Sequence, residues 1–153
     1  MAPYVPALEH SAEIGMAVDM SVIAGLSFIG DVGAAGLSLE TSEASSGIQV
    51  SQKGLDLITE HLGRLDPADY NDAMIDRLRT AMQNGDRVFG PDADFYMHEA
   101  NEATLMNRGL LYDEAHIQAL ERYGVTEFDL YHPEIIKTYK FNEAWWNYWM
   151  IPR

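Results

Sequence analysis

The sequence predicts a mainly α protein, a compact array of five to seven short helices. Three observations carry this. From Ser51 onward, helix-capping residues, apolar residues three or four apart and Gly or Pro stops recur in that order. The connections between the resulting segments are only a few residues long. No internal repeat or low-complexity tract appears, which favours a packed array over a long coiled coil.

The first fifty residues differ from the rest. They carry six acids (Glu9, Glu13, Asp19, Asp31, Glu40, Glu43) and no Lys or Arg. Six glycines punctuate them, and the stretch from Met20 to Gly30 is apolar and small. The pattern predicts a helix from about Ala7 to about Phe28, then a Gly-broken segment. Residues 1–50 are therefore expected to form an acidic, Gly-rich arm or packing element, with a helical domain over 51–153. The apolar run between Asp19 and Asp31 is too short to span a bilayer, which takes about 20 residues. A packing helix fits it, and so does a membrane-active hairpin over residues 14–39 with small-residue spacing at Gly25, Gly30, Gly33 and Gly36.

Ser51 caps a helix running to about His61, with Leu55, Ile58 and Leu62 on one face; Gly63 stops it. Asp66-Pro67 opens the next, with Met74, Leu78 and Met82 spaced by four, and Asn84-Gly85 ends it. Val88 to Pro91 reads as a connector. Asp92 or Asp94 opens a third helix to about Asn107, closed by Gly109. Tyr112 to Tyr123 forms a fourth, closed by Gly124. Val125 to Tyr131 reads as extended. Pro133 starts a short helix to about Tyr139, and Asn142 caps a last one that holds all three tryptophans.

Composition bounds the function. The chain has 153 residues, enough for one domain with its own core. With no cysteine, disulfides, thiolate metal sites and a Cys nucleophile are excluded. The net charge of -14 and the scattered basic residues argue against any extended nucleic-acid surface. The opening MAPYVPALEH lacks the basic cluster of a secretory signal, so export is expected to proceed without one.

The strongest constellation lies on the third helix. Asp94, His98 and Glu102 stand at i, i+4 and i+8 and share a face. Glu99 adjoins His98, giving His98-Glu99-Ala100-Asn101-Glu102, an HExxE in place of the HExxH of zinc peptidases. Carboxylates replace imidazoles readily at divalent ions. If the fourth helix folds back across Gly109, His116 completes a site with His98 and Glu102, and Asp113 stands one turn before it. Tyr96, Leu105 and Leu111 are the expected apolar walls. Zn²⁺ is the first choice of ion, with Mn²⁺ or Fe²⁺ behind it. The same face also suits a metal-free general base at His98, oriented by Asp94 or Glu102, and it suits a plain solvated ladder of charges.

His132, before Pro133, is a further candidate. It stands either at the rim of the same cleft, poised to bind an anion at a helix start, or as a mere cap. Arg108 fits a phosphate contact or a helix C-terminus. Phe141, Trp145 and Trp149 share a face that suits core packing better than base stacking. Neither a P-loop, a GxSxG elbow nor a GxGxxG turn is present.

Four stretches carry a family resemblance: VSQKGLDLITEHL, NDAMIDRLRTAM, GPDADFYMHEANEATLMNRGLLYDEAH, and YHPEII with FNEAWWNYW. From about Gly47 the chain resembles the C-terminal variable domains of large bacterial polymorphic toxins of the Rhs and filamentous-haemagglutinin (contact-dependent inhibition) type. The resemblance implies an effector made in a bacterial cytoplasm and delivered into a competing cell. It implies a cognate immunity protein as partner, with secretion machinery or a chaperone besides. It names no chemistry, because such proteins carry many unrelated toxic domains. Three expectations follow: a hydrolase built on His98, Glu99, Glu102, His116 and His132; a membrane-acting effector using residues 14–39; and a non-enzymatic acidic interaction or inhibitor protein.

Overall fold

The computed structural model describes residues 47–153. The helix over 7–28, the Gly-broken segment after it and the membrane-active reading of 14–39 lie outside the described residues. The described part is mainly helical, with six helices and one two-stranded sheet, as the sequence predicts.

The order is β1 (Ile48–Gln49), α1 (Gln52–Gly63), α2 (Asp69–Asn84), β2 (Arg87–Val88), α3 (Gly90–Asn107), α4 (Tyr112–Tyr123), a 3-10 turn (Glu127–Asp129), α5 (Pro133–Thr138) and α6 (Glu143–Tyr148). The strands pair antiparallel, Ile48 with Val88 and Gln49 with Arg87. Ile48, Val50 and Val88 are buried in the main core. The β1–β2 pairing thus brings the chain before α1 onto the chain before α3.

The caps explain most boundaries. Ser51 Oγ accepts from the Gly54 amide at 3.0 Å, closing the start of α1. Gly85 and Gly124 adopt the left-handed conformation that ends α2 and α4. Asn142 Oδ1 accepts from the Ala144 amide and starts α6.

Three boundaries depart from expectation. Helix α2 begins at Asp69, with Ala68 as its extended cap residue, two residues after Pro67. Helix α3 begins at Gly90, two residues before Asp92, because Pro91 is already helical in its first turn. Residues expected to be extended after Val125 form a 3-10 turn instead. There Thr126 and Asp129 cap each other, the Thr126 amide donating to Asp129 Oδ2 at 2.7 Å. This reciprocal cap satisfies the backbone locally and removes any need for a strand partner.

Helix α3 is the axis of the domain: α1, α2 and α4 all pack on it. The approach of α1 is close because Gly54 faces Tyr96. A Cβ at position 54 would stand 1.8 Å from the Tyr96 hydroxyl oxygen, and Tyr96 is fully buried. The aromatic tail is core. Phe141 and Trp145 are buried against Tyr131, and Trp149 Nε1 donates to the Phe128 carbonyl at 2.8 Å.

Candidate metal centre

Helix α3 presents polar side chains to its neighbours in the interior. His98, Glu99, Asn101, Glu102, Thr104 and Asn107 are all buried. They are covered because α1 and α4 both pack on this helix, and each brings a histidine to Glu102.

Glu102 is the centre. Its Oε2 lies 3.0 Å from His98 Nε2 and 2.8 Å from His116 Nδ1, and those two nitrogens are 3.1 Å apart. Its Oε1 lies 2.8 Å from His61 Nε2. The HExxE spacing puts His98 and Glu102 one turn apart on α3, and the turn after Asn107 returns α4 with His116 on the facing side. Gly109, at φ +101°, provides that reversal. His116 is held by its neighbours, edge-on to His98 and stacked on Tyr112 with ring centroids 5.6 Å apart.

Glu99 completes the cluster from the next position on α3. Its Oε2 stands 3.6 Å from His61 Nε2, beyond hydrogen-bond length. This buried oxygen has no hydrogen-bond partner among the described residues, and the same holds for Nδ1 of His61 and of His98.

The electrostatics follow from burial. Burial alone would raise the Glu102 carboxyl, but hydrogen bonds from His116, His61 and His98 hold it well below its ordinary range. Glu99 has no such donors. Burial first, and then the charge of Glu102, push it up to about 7 against the pull of the three histidines. His116 is disfavoured as a cation by burial, yet its hydrogen bond to Glu102 and the charges of Glu102, Glu99 and Glu127 leave its pKa raised. Burial, then Glu102 and Glu99, raise the Tyr112 phenol and keep it protonated.

A small cavity of about 50 Å³ touches the cluster. Its lining includes Glu99, Glu102, His116, Tyr112 and Tyr131, with Asp66, Asn71 and Glu127.

Two triads in this cluster can hold a metal ion: His98, Glu102 and His116, and His61, Glu99 and Glu102. The sequence pointed to the first triad and to Glu99, and the structure brings all four residues together. His61 was not singled out. It sits in the buried stripe of α1 with Ile58 and Leu62, and a histidine on an apolar stripe was the available signal.

The remaining candidates fall elsewhere. His132 is the N-cap of α5: its Nδ1 accepts from the Glu134 amide at 3.2 Å, and its charged neighbours are Arg77, Asp92 and Glu134. Burial and then Arg77 lower its pKa. Among the described residues, none of its hydrogen bonds or ion pairs reaches the cluster, because Pro133 fixes it at the helix start. Asp94 lies half-buried near Asp129 and makes no hydrogen bond to His98. Asp113 is exposed. Leu111, expected as a wall, is exposed as well, and its neighbour Tyr112 lines the cavity. Tyr96 reaches the start of α1, with its hydroxyl 3.3 Å from Ser51 Oγ. Arg77 is engaged by Asp92 and Glu134, Arg79 by Asp76, and Arg108 is exposed at the end of α3.

Compared with known proteins, the chain matches no family model, no curated protein and no solved structure. The chemistry of the site rests on its own geometry.

Proposed function

We propose that this protein is a metal-dependent hydrolase that acts as an antibacterial effector, with a divalent ion held by His98, Glu102 and His116. One observation carries the metal site: three ligand atoms from two helices form a triangle with edges of 2.8, 3.0 and 3.1 Å in a largely buried site beside a cavity. Three mutual hydrogen bonds in so small a triangle have poor angles, because each N–H can aim at only one corner. A shared cation satisfies all three corners at once. With ligand bonds of about 2.1 Å, corners lie about 3.0 Å apart on an octahedral face and about 3.4 Å apart in a tetrahedron. Edges of 2.8, 3.0 and 3.1 Å are nearer the octahedral spacing, which supports Mn²⁺ or Fe²⁺ over Zn²⁺.

Such an ion, when bound, would lower the pKa of a water on it and so supply a hydroxide nucleophile. The chain's residues do the rest. Glu102 anchors the site through both oxygens. His116 lines the cavity, so a group entering it would approach the ion that this residue helps to hold. Tyr112, kept protonated, offers a hydrogen-bond donor to developing negative charge. Asp66 and Glu127 in the lining, together with the net charge of -14, disfavour a phosphodiester and favour an uncharged or cationic ester or amide. The effector role is supported by the resemblance to polymorphic-toxin C-terminal domains, which also supplies an immunity protein as the expected partner.

Expression in a bacterial host tests both halves. Wild type should arrest growth and carry a divalent metal when purified, and the His98→Ala, His116→Ala double variant should not arrest growth and should lose the ion of this triad. Growth arrest unaffected by the double substitution would overturn the hydrolase assignment. Failure of the purified chain to bind Mn²⁺, Fe²⁺ or Zn²⁺ would overturn the metal.

A further inference from the structure

Glu102 uses its two oxygens in two directions. Oε2 faces His98 and His116, while Oε1 faces His61 on α1. We infer that a second divalent cation binds between His61 Nε2, Glu99 Oε2 and Glu102 Oε1, so that Glu102 bridges a two-metal centre. This rests on the reading of the first triad as a metal site.

Three observations support it. The ligand atoms of the second triad lie within 4.8 Å of one another, all on buried residues. The contact of 3.6 Å between Glu99 Oε2 and His61 Nε2 is too long for a hydrogen bond and only slightly longer than the spacing of about 3.0–3.4 Å between two ligands of one ion. Glu99 Oε2 is buried without a hydrogen-bond partner among the described residues, and Glu99 belongs to the cavity wall. A carboxylate oxygen that is buried, aimed at an imidazole and left without a donor is costly unless a cation meets it.

Two carboxylates carry -2, which one divalent ion already cancels. A second ion leaves a local excess of +2, and this excess draws a hydroxide into the centre. Centres of this kind hold their ions about 3.5–4 Å apart and clamp the attacking and leaving oxygens of one displacement. Here the ion at His98 and His116 would carry the nucleophile, and the ion at His61 and Glu99 would polarise the substrate carbonyl. In hydrolysis the hydroxide oxygen bonds to the carbonyl carbon, the bond to the leaving oxygen or nitrogen breaks, and the leaving group takes a proton from water.

The test is stoichiometry on the full chain. After dialysis against a chelator, the protein is titrated with Mn²⁺ and the bound ions are counted by native mass spectrometry. Electron paramagnetic resonance reads whether two Mn²⁺ ions are exchange-coupled. Two ions per wild-type chain with a coupled signal are expected. Glu99→Gln, which preserves shape, should bind one ion and lose the coupling, and His61→Ala should do the same if circular dichroism shows it folded. If His61→Ala does not fold, Glu99→Gln decides alone. One ion in wild type, or two coupled ions in Glu99→Gln, would overturn the second site while the first stands. No bound ion in wild type would overturn both, and one ion lost from His116→Ala with the other retained would separate the two sites directly.

Discussion

Helices α2 and α3 are nearly equal in length, 16 and 18 residues, and both carry several charges. They treat those charges in opposite ways. Helix α2 buries Met74, Ile75 and Leu78 and leaves its acids in solvent, where Asp76 pairs with Arg79. Helix α3 buries thirteen of its residues, among them His98, Glu99 and Glu102. Along α2, charge is a solvated face worth little to stability. Along α3, charge sits inside the protein and must be answered by a partner of opposite sign. Spacing alone does not separate the two cases, because an i, i+4 pair looks the same on a wet face and a dry one. What separates them is the covering of α3 by α1 and α4.

The comparison breaks most readily at Glu102. Replacing it by alanine removes the acceptor of three imidazoles at once. The expected loss is about 3–5 kcal/mol in chemical denaturation, with partial or complete unfolding. Asp76→Ala on α2 should stay within about 0.5 kcal/mol. Equal costs for the two would mean that the interior of α3 is wet.

Metal removal is the next largest effect. An ion present at a hundredfold excess over its dissociation constant should add about 2.7 kcal/mol to unfolding, and a chelator should reverse the gain. The gain should shrink in His98→Ala, which removes a ligand of the first triad alone. A thermal midpoint unmoved by Mn²⁺, Fe²⁺ or Zn²⁺ would return the cluster to the status of a buried hydrogen-bond network.

A smaller effect tests how α1 reaches the cluster. Gly54→Ala would drive a methyl into the Tyr96 hydroxyl, costing about 1–3 kcal/mol as overpacking and displacing His61 at the far end of the helix. Gly63→Ala meets nothing within 4 Å and should be neutral or slightly stabilising. Urea denaturation of the pair measures the contrast directly.

The part of the site that the sequence reveals is the part that is local. His98, Glu99 and Glu102 sit within one turn and a quarter of helix, and Gly109 announces the reversal that returns His116. His61 lies 41 residues before Glu102, and only the packing of α1 on α3 unites them. At the end of an amphipathic helix such a histidine reads as a partner for the last carbonyls. His132 was misleading for the opposite reason: its neighbour Pro133 determines its role locally, as a cap, whatever the tertiary structure does. The helices after Ser51 were legible because caps and stops are short-range. The Thr126–Asp129 cap was equally short-range, but β-favouring neighbours such as Val125 and Phe128 concealed it.

The smallest expected effect concerns the first turns of α3, where two aspartates differ by one full setting. Asp92 accepts a two-pronged contact from Arg77, at 2.8 and 2.9 Å. Asp94 meets Asp129 instead, and burial first and then that like charge raise its pKa to about 6. A carboxyl whose pKa is higher in the folded state binds protons more tightly when folded. Its contribution to stability is therefore complete below the ordinary value of 3.8 and is lost as pH rises to about 6 and beyond. Asp94→Asn carries no charge to bury, so it should be more stable than wild type at pH 7.5 by about 1 kcal/mol after allowance for solvent screening. The advantage should shrink between pH 6 and pH 4 and disappear below that. Asp92→Asn should lose stability over the same neutral range, because it leaves Arg77 with Glu134 alone. Urea denaturation of the two variants from pH 4 to pH 8 reads the sign directly, and an Asp94→Asn variant that is less stable than wild type at pH 7.5 would show that the charge of Asp94 is wanted where it stands.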